Sequence, residues 1–306
     1  MRNSFVKKLV EIAKDREDII LITGDLGYNA LDLFIENFPD RFINAGIAEQ
    51  NMMGVAAGMA KEGKTVVVYS IGNFTTLRCI EQIRNDCAYN NADVKIVSVG
   101  GGFAYGTLGM THHATEDIAM MRALPNVKVF SPADPLEAIA CTEEMLKQKG
   151  TCYLRLNRGN EEIIHGENEK LDVKSAIKMN DGNDIAIFST GNILYEAKKA
   201  CEELKEKGFA VGLYSFPMIK PIDKQTILRC INESKLIITI EEHNIMGGFG
   251  GAVAEVMSEV PHNSKLLRIG LNDEYTSIVG KQNYLREQYK MSAKEIEERI
   301  ISVYNH

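Results

Sequence analysis

The segment 41–60, RFINAGIAEQNMMGVAAGMA, joins a short strand-like run to a helix that is small and apolar on nearly every side. The run ends at Gly46, and the helix opens with one acid, Glu49. A helix that is apolar nearly all round is buried in a folded protein. The segment therefore predicts a carboxylate at the point where the edge of a sheet meets a buried helix.

Strands and helices alternate on both sides of this segment. Parallel strands covered on both faces read as near-continuous apolar runs, and such runs lie at 18–25, 64–70, 94–100 and 127–134. Helical patterns separate them at 4–15, 48–61, 74–88, 115–123 and 134–149. The alternation predicts a doubly wound, mostly parallel α/β domain.

A second unit follows a polar, weakly periodic stretch at 159–180, which we interpret as a linker. Its strand-like runs lie at 184–191, 209–216, 236–242 and 265–270. Its helical patterns lie at 192–207, 250–259 and, as an amphipathic closing helix, 292–306. We therefore expect two α/β domains, a first at 1–158 and a smaller one at 181–306.

The composition narrows the class of function. The 306 residues include 35 Lys and Arg against 42 Asp and Glu, a formal net charge of −7, which argues against nucleic acid or an anionic membrane as the main partner. No apolar run approaches the roughly 18 residues of a membrane span. The N-terminal apolar run carries acids and bases throughout, unlike a signal peptide. Six scattered cysteines without metal-like pairing indicate a reducing, cytoplasmic setting.

The residues alone leave two interpretations of Glu49. An acid in the first turn of a helix interacts favourably with the free N–H groups there, so Glu49 could simply cap the helix. A carboxyl beside a buried helix is also partly desolvated and tends to hold or share a proton. Buried acids that neither form ion pairs nor bind metal are often catalytic.

Four segments together resemble the C-terminal half of the transketolase family. They are GIAEQNMMGVAAGMA at 46–60, EQIRND at 81–86, GMTHHATEDIAMMRALPNVKVFSPAD at 109–134 and EEHNIMGGFG at 241–250. The resemblance covers essentially the whole chain in the family's order. It implies a pyrimidine-binding domain followed by a C-terminal domain, with thiamine diphosphate as the cofactor. Deoxyxylulose-phosphate synthases and the β subunits of 2-oxoacid dehydrogenases belong to the same superfamily.

The resemblance gives Glu49 a chemical role. It implies that Glu49 hydrogen-bonds a ring nitrogen of the cofactor's aminopyrimidine. A shared proton there favours the imino tautomer, which acts as an internal base on the thiazolium carbon. A desolvated carboxyl suits this role better than a solvated cap.

Further residues are implied around the cofactor. Phe74 falls where the family places an aromatic ring against the pyrimidine, and Ile71 and Leu77 occupy two further positions of that pocket that are usually aromatic. Asp25, after the first strand, falls near the cofactor at the subunit contact. Ordinary core packing for Phe74 and turn capping for Asp25 are the alternatives.

The substrate residues implied by the resemblance begin with His112, which matches a histidine that hydrogen-bonds the donor's hydroxyl or carbonyl oxygen. His113, directly beside it, is the second candidate. Arg158 corresponds to an arginine that holds the substrate's distal phosphate, with Arg155 as a local competitor that could instead be an ion-paired strand residue. Arg2 falls near another phosphate-contacting arginine.

Two positions depart from the family's pattern. Gly100 stands where relatives usually carry a His or Arg, and Leu108 stands where an Asp reads a hydroxyl of the ketose donor. A Leu would leave that hydroxyl without a partner, at about 1–3 kcal/mol. We therefore expect altered specificity, for a substrate that is unphosphorylated, deoxy or nucleotide-linked.

The chain lacks the family's diphosphate-binding signature, a G-D-G stretch followed by a downstream Asn. TGDLG at 23–27 and MNDGND at 179–184 lack its context. Diphosphate binding needs a cation and backbone donors. We therefore expect a complementary N-terminal subunit that supplies most of the diphosphate and Mg²⁺ site, with the cofactor across the interface of an α2β2 heterotetramer.

Three functions compete. The leading interpretation is a subunit that transfers a two-carbon ketol unit between sugar-type substrates. Another thiamine-dependent reaction, either 2-oxoacid decarboxylation with acyl transfer or synthase-type condensation with pyruvate, is the alternative. A non-catalytic scaffold subunit is the third, although the intact Glu49 and His112 argue against it. The glycines of 241–250 are interpreted as structural, and His243 as a candidate neighbour of the partner chain.

Overall fold

A computed structural model of the chain describes residues 1–159, 161–166 and 169–305. In chain order, the strands are β1 (Ile19–Thr23), β2 (Phe42–Asn44), β3 (Thr65–Ile71), β4 (Val94–Val99), β5 (Lys128–Phe130), β6 (Cys152–Leu156), β7 (Ile177–Asn180), β8 (Ile185–Thr190), β9 (Val211–Ser215), β10 (Met218–Lys220), β11 (Leu236–Asn244) and β12 (Lys265–Leu271). The helices are α1 (Arg2–Ala13), α2 (Asp32–Asn37), α3 (Glu49–Lys61), α4 (Gly72–Thr75), α5 (Ile80–Gln82), α6 (Asp117–Ala123), α7 (Pro135–Lys147), α8 (Leu194–Glu206), α9 (Lys224–Glu233), α10 (Phe249–Ser258), α11 (Gln282–Gln288) and α12 (Ala293–Tyr304). None of these described helices combines the length and apolarity needed to cross a lipid bilayer.

The first sheet has the strand order β10-β5-β6-β4-β3-β1-β2. Its strands pair in parallel, except that β10 runs antiparallel to β5. Successive residues of a strand face opposite sides of a sheet. Ile20 and Ile22 of β1 accordingly join one apolar cluster, while Ile19 and Leu21 join another. The sheet is buried on both faces, and the predicted doubly wound, mostly parallel domain is confirmed.

The second sheet has the order β12-β11-β8-β9-β7, with β7 antiparallel to β9 and the other pairs parallel. A third apolar cluster packs this sheet against α8 and α12, and includes Ile187, Leu204 and Ile296. The predicted smaller α/β unit is confirmed. The boundaries 1–158, 159–180 and 181–306 stay a prediction, and β7 lies inside the stretch interpreted as a linker.

Several elements are absent from the predicted pattern, namely β6, β7, β10, α2, α9 and α11, and two of them show how a weak signal hides an element. β10 has three residues, too few for any periodicity, yet it pairs Met218 with Phe130 and so completes the first sheet with a strand from the second unit. Helix α9 begins with three polar residues, and the Asp223 side chain caps it by accepting from the backbone N–H of Thr226.

The helix predicted over 74–88 is broken into α4, a 3₁₀ turn, α5 and a turn of π-helix. The hydroxyls of Thr75 and Thr76 both donate to the carbonyl oxygen of Gly72, at 3.1 and 2.8 Å. Such side-chain bonds compete with a regular helix. The break sets the positions of Phe74 and Arg78.

Helix α3 is buried on one face, so the predicted buried helix is confirmed for that face and wrong for the opposite one. Glu49, Met52, Met53, Ala56 and Ala57 are buried, whereas Val55 is 39% exposed. The exposed residues of this helix include Gln50, Asn51, Val55 and Gly58, so its outer face presents little apolar area.

The segment 161–166 is docked onto both units through two buried acids. Asp134, which caps α7, also accepts from the backbone N–H groups of Ile164 and His165, at 2.9 and 3.1 Å. The His165 ring bonds to Glu137 through Nε2 at 2.8 Å, and the hydroxyl of Ser215 donates to the same Glu137 oxygen at 2.6 Å. Burial opposes the charged imidazole, but the hydrogen bond and charge of Glu137 outweigh it and raise the pKa of His165.

The His165 contact predicts a pH-dependent stability. A histidine whose folded pKa is raised contributes stability that is complete below its unfolded pKa, about 6.5, and that is lost as the pH rises through the folded value. We expect His165→Gln to lower the free energy of unfolding by about 1–3 kcal/mol at acidic pH, and by less in alkaline solution. Urea unfolding at a series of pH values measures the difference.

The exposed His262 provides the matched control. His262→Gln should leave the free energy of unfolding close to that of the unaltered chain across the same pH series. A difference between His165→Gln and the unaltered chain that is constant with pH would show that His165 is not charged in the folded protein.

Candidate active site

The predicted site residues converge at the carboxyl ends of the first sheet's strands, where open α/β sheets bind ligands. Asp25 follows β1, Ile71 ends β3, and Glu49 opens the helix after β2. The loop after β4 carries His112 to the same edge.

Glu49 lies buried at the first residue of α3, with its side chain 2% exposed. Gly24 backs it closely, since a Cβ on Gly24 would lie 3.2 Å from the Glu49 Cγ. Its Oε2 accepts a 2.7 Å hydrogen bond from Nη1 of Arg78. The structure confirms the buried carboxylate, but the ion pair with Arg78 was missed by the sequence analysis.

Arg78 joins Glu49 to Phe74. Its guanidinium carbon lies 4.4 Å from the centroid of the Phe74 ring, so one planar cation covers the ring and also donates to the buried carboxylate. The Arg78 side chain is 43% exposed. The helix break at Thr75 and Thr76 turns Arg78 back over Phe74, and no sequence pattern signals that contact.

His112 lies on the other side of Phe74. The two ring centroids are 5.3 Å apart at an interplanar angle of 67°, and the Tyr105 ring is 6.4 Å from the imidazole. The imidazole is half-buried, and its Nδ1 is 3.0 Å from the hydroxyl of Thr111. The side chains Glu49, Arg78, Phe74, His112 and Tyr105 therefore form one continuous row.

Asn73 fixes the backbone on both sides of His112. Its Nδ2 donates to the carbonyl oxygens of His113 and Thr111, at 2.9 and 3.2 Å. The sequence analysis missed this residue, because a lone Asn beside Phe74 carries no distinctive pattern.

His113 is held within the protein rather than presented to the cleft. A carbonyl oxygen only accepts, so its Nε2 donates to Gly106 at 3.1 Å, and its Nδ1 accepts from the Thr276 hydroxyl at 2.6 Å. Burial lowers the pKa of His113. A neutral His113 thus ties the His112 loop to the second unit.

Arg158 continues the row beyond Tyr105, since its guanidinium carbon lies 5.1 Å from the centroid of that ring. It enters a groove of about 760 Å³ lined by Arg2, Asn3, Ala104, Asn157, Arg158, Gly159, Lys281, Gln282 and Asn283. Arg155 lies elsewhere, buried and hydrogen-bonded to Asp117 at 2.8 Å. The structure therefore places Arg158 and Arg2, but not Arg155, around an open groove.

Asp25 belongs to an exposed hydrogen-bonded cluster. Its Oδ1 accepts from Asn44 at 3.0 Å and from the Tyr28 hydroxyl at 2.8 Å, and these bonds lower the pKa of Asp25. Its φ of 56° is a conformation that few residues other than glycine adopt. Ile71 is half-buried at the end of β3.

One of the two departing positions, Gly100, is explained by the ring of Tyr105. Gly100 has a φ of +99°, and a Cβ there would lie 2.3 Å from Cδ2 of Tyr105, so the Tyr105 ring fills the space of any side chain. Leu108 is 53% exposed on the same loop.

The glycine-rich segment 241–250 is structural. Glu241 accepts from the backbone N–H groups of Phe249 and Gly250 at the start of α10, at 2.6 and 2.7 Å. His243 is fully buried, which lowers its pKa to about 4. Across the described parts of the chain, no group of three or more His, Cys, Asp or Glu side chains is arranged to hold a metal ion.

Comparison with known proteins identifies the relatives of this chain. One family model, the transketolase pyrimidine binding domain, matches residues 1–162, and another, the transketolase C-terminal domain, matches residues 174–296. A provisionally named transketolase C-terminal section from Methanocaldococcus jannaschii is 38% identical over 98% of this chain and 95% of its own length.

Two relatives are named for particular sugars. A subunit of the apulose-4-phosphate transketolase from Actinobacillus succinogenes is 33% identical over 99% of this chain and 98% of its own length. The 6-deoxy-6-sulfo-D-fructose transketolase subunit SqwH from a Clostridium species is 33% identical over 97% of this chain and 92% of its own length. The 1-deoxy-D-xylulose-5-phosphate synthase of Shouchella clausii is 31% identical, but this chain spans only 48% of it.

A solved structure agrees with this assignment. A split-gene transketolase, described as an inactive β4 tetramer, superimposes with a TM-score of 0.88 and 32% identity, over 99% of this chain and 97% of its own. This chain therefore belongs to the transketolase family, as a C-terminal section that contains the pyrimidine-binding and C-terminal domains.

Proposed function

We propose that this chain is the C-terminal subunit of a two-chain, thiamine diphosphate-dependent transferase that moves a two-carbon ketol unit between sugar-type substrates. The observation that carries the proposal is the continuous row from the buried Glu49 through Phe74 to His112. It provides a buried carboxylate, an apolar ring face and an imidazole at one edge of one sheet.

The residues present fit the aminopyrimidine of thiamine diphosphate. Glu49 offers a buried carboxylate to a ring nitrogen, and Phe74 offers a ring face for stacking. When bound, the cofactor supplies an electron sink for the carbon that is transferred. Ile71 and Asp25 lie at the same sheet edge, and we propose them as further neighbours of the cofactor.

Arg78 makes the two contacts that a bound aminopyrimidine ring would require. Its guanidinium donates to Glu49 and covers Phe74. A pyrimidine that stacks on Phe74 and hydrogen-bonds to Glu49 would occupy the position of the Arg78 guanidinium. We therefore propose that the cofactor displaces Arg78.

His112 and Arg158 serve the substrate in this proposal. A neutral imidazole can both donate and accept a proton near neutral pH, as cleavage of a carbon–carbon bond beside a hydroxyl requires. Asn73 holds the backbone of His112, and His113 acts through the same loop rather than on the substrate. Arg158 and Arg2 face the groove in which we place the distal, anionic end of the sugar.

Several features favour a non-standard sugar. Leu108 cannot read a hydroxyl, and Tyr105 excludes a side chain at Gly100. Two relatives are named for apulose 4-phosphate and for a sulfonated deoxy sugar. Each of these sugars has an altered hydroxyl pattern together with an anionic group. We propose a phosphorylated or sulfonated sugar of unusual hydroxyl pattern, in place of an unphosphorylated or nucleotide-linked one.

A partner chain completes this proposal. The described residues provide no metal cluster, and relatives of similar length are named as subunits. We propose a complementary N-terminal subunit that binds the diphosphate and Mg²⁺, in an α2β2 assembly. The six free and buried cysteines support a cytoplasmic location.

Synthase-type condensation with pyruvate is the second candidate, favoured by the likeness to 1-deoxy-D-xylulose-5-phosphate synthase. Incubation of the assembled enzyme with pyruvate and glyceraldehyde 3-phosphate distinguishes the two reactions. Carbon dioxide release at a rate above that of ketol transfer would replace the leading proposal.

Glu49→Gln should leave the fold intact and reduce the kcat of the assembled enzyme by roughly 100-fold or more, because an amide cannot share a proton with the pyrimidine. The matched control is Glu81→Gln, which makes the same change on an exposed side chain. Circular dichroism checks folding, and ketol-transfer assays measure kcat. A Glu49→Gln enzyme with nearly full activity would remove Glu49 from the mechanism.

Arg78→Met should bind thiamine diphosphate roughly 3- to 10-fold more tightly in the assembled enzyme, because the cofactor no longer displaces a resident group. It should also lower the melting temperature of the cofactor-free chain, since the buried Glu49 loses its partner. Arg84→Met is the control. Among the described residues, the Arg84 side chain hydrogen-bonds only to the neighbouring Asn85. Weaker cofactor binding by Arg78→Met would mean that Arg78 helps to hold the cofactor.

The proposed specificity predicts a preference among donors. We expect kcat/KM for apulose 4-phosphate or 6-deoxy-6-sulfofructose to exceed that for xylulose 5-phosphate by about tenfold or more, because Leu108 leaves a donor hydroxyl without a partner. Steady-state kinetics of the assembled enzyme measure the ratio. Typical transketolase efficiency with xylulose 5-phosphate would contradict the proposal.

A further inference from the structure

The groove beside Tyr105 gathers cations from three distant parts of the chain. Arg2 comes from α1, Arg158 follows β6, and Lys281 directly precedes α11. The other residues that line the groove are amides, an alanine and a glycine, and no carboxylate is among them. The chain has a formal net charge of −7, so this group of three cations is opposite in sign to the net charge of the whole chain.

None of the three cations is neutralised by a carboxylate within the described residues. The Arg2 Nε meets only the amide oxygen of Asn3, at 3.4 Å, and Arg158 lies over Tyr105. Glu161, close to Arg158 along the chain, is paired with the ammonium of Met1. Uncompensated like charges around one groove favour the binding of an anion.

The backbone that carries Lys281 is anchored. The neighbouring Gln282 donates to Oε1 of Glu242 at 2.8 Å and accepts from Asn157 at 3.4 Å. Glu242 is itself buried, pairs with Arg286 and accepts from the backbone N–H of Phe103 at 2.6 Å. Lys281 therefore extends from a fixed point of the second unit into a groove whose opposite side belongs to the first.

We propose that Lys281 is a specificity-determining residue that binds the terminal phosphate or sulfonate of the sugar together with Arg158 and Arg2. An arginine fork can hold two oxygens of such a group, while a lysine ammonium acts as a point charge on a third. The Tyr105 ring, which lies beside Arg158, fills the space that a side chain at Gly100 would take. The inference rests on the proposed function, and it assigns a substrate contact to the C-terminal domain.

The first experiment compares Lys281→Met with Lys281→Arg and with the control Lys294→Met in the assembled enzyme. Lys294 is 77% exposed on α12 and lies outside the groove. Lys281→Met should raise KM for apulose 4-phosphate about tenfold and change kcat less than about twofold. The reason is that the lost contact stabilises the bound substrate and the transition state equally. Lys281→Arg should restore most of the affinity for apulose 4-phosphate that Lys281→Met loses. For an unphosphorylated acceptor, KM should be the same in Lys281→Met and in the unaltered enzyme.

The second experiment needs neither the partner nor catalysis. The isolated chain is acetylated at low reagent concentration with and without inorganic phosphate, and mass spectrometry measures modification of Lys281 and Lys294. Phosphate should protect Lys281 but not Lys294, and Arg158→Met should abolish the protection.

The two experiments separate the two claims. Phosphate protection of Lys281 in the isolated chain, together with no ketol transfer by the assembled enzyme, would support the anion site and overturn the proposed function. Ketol transfer with an unchanged KM in Lys281→Met, together with no protection, would overturn the role of Lys281 and leave the proposed function standing.

Discussion

The buried ion pair between Arg155 and Asp117 is the constraint on which the site depends. Arg155 belongs to β6, an interior strand of the first sheet, and its Nε donates to Asp117 at the start of α6. Its Nη2 donates to the carbonyl oxygens of Ala114, which follows the two histidines, and of Glu242 in β11. One guanidinium thus joins the first sheet, the His112 loop and the second sheet. Removing one partner of such a buried pair typically costs about 3–5 kcal/mol.

A second layer of contacts holds the loops around this junction. His113 and Thr276 tie the His112 loop to the second unit, and Glu242 fixes the start of α11 through Gln282. The groove between the units therefore has a lining residue, Gln282, that is hydrogen-bonded to a buried acid. A preorganised groove would reduce the entropy lost if the proposed charged substrate binds there.

The fold and much of the candidate site could be predicted from the sequence. Apolar runs reveal strands covered on both faces, and the motifs around Glu49 and His112 identify the family. The contacts that depend on tertiary folding could not be predicted. The pairing of Arg78 with Glu49 depends on a helix broken by two threonine hydroxyls, and Lys281 reaches the groove only because Gln282 bonds to a distant strand. Strand β10 was missed because three residues carry no measurable periodicity.

Strand β10 has a consequence for how the chain can be divided. Its pairing with β5 means that the polypeptide crosses back into the first sheet after the second unit has begun. A fragment that ends at residue 158 would leave the edge of β5 bare, and bare strand edges recruit foreign strands. Both copies of such a fragment would lack β10, so their bare β5 edges could associate with each other.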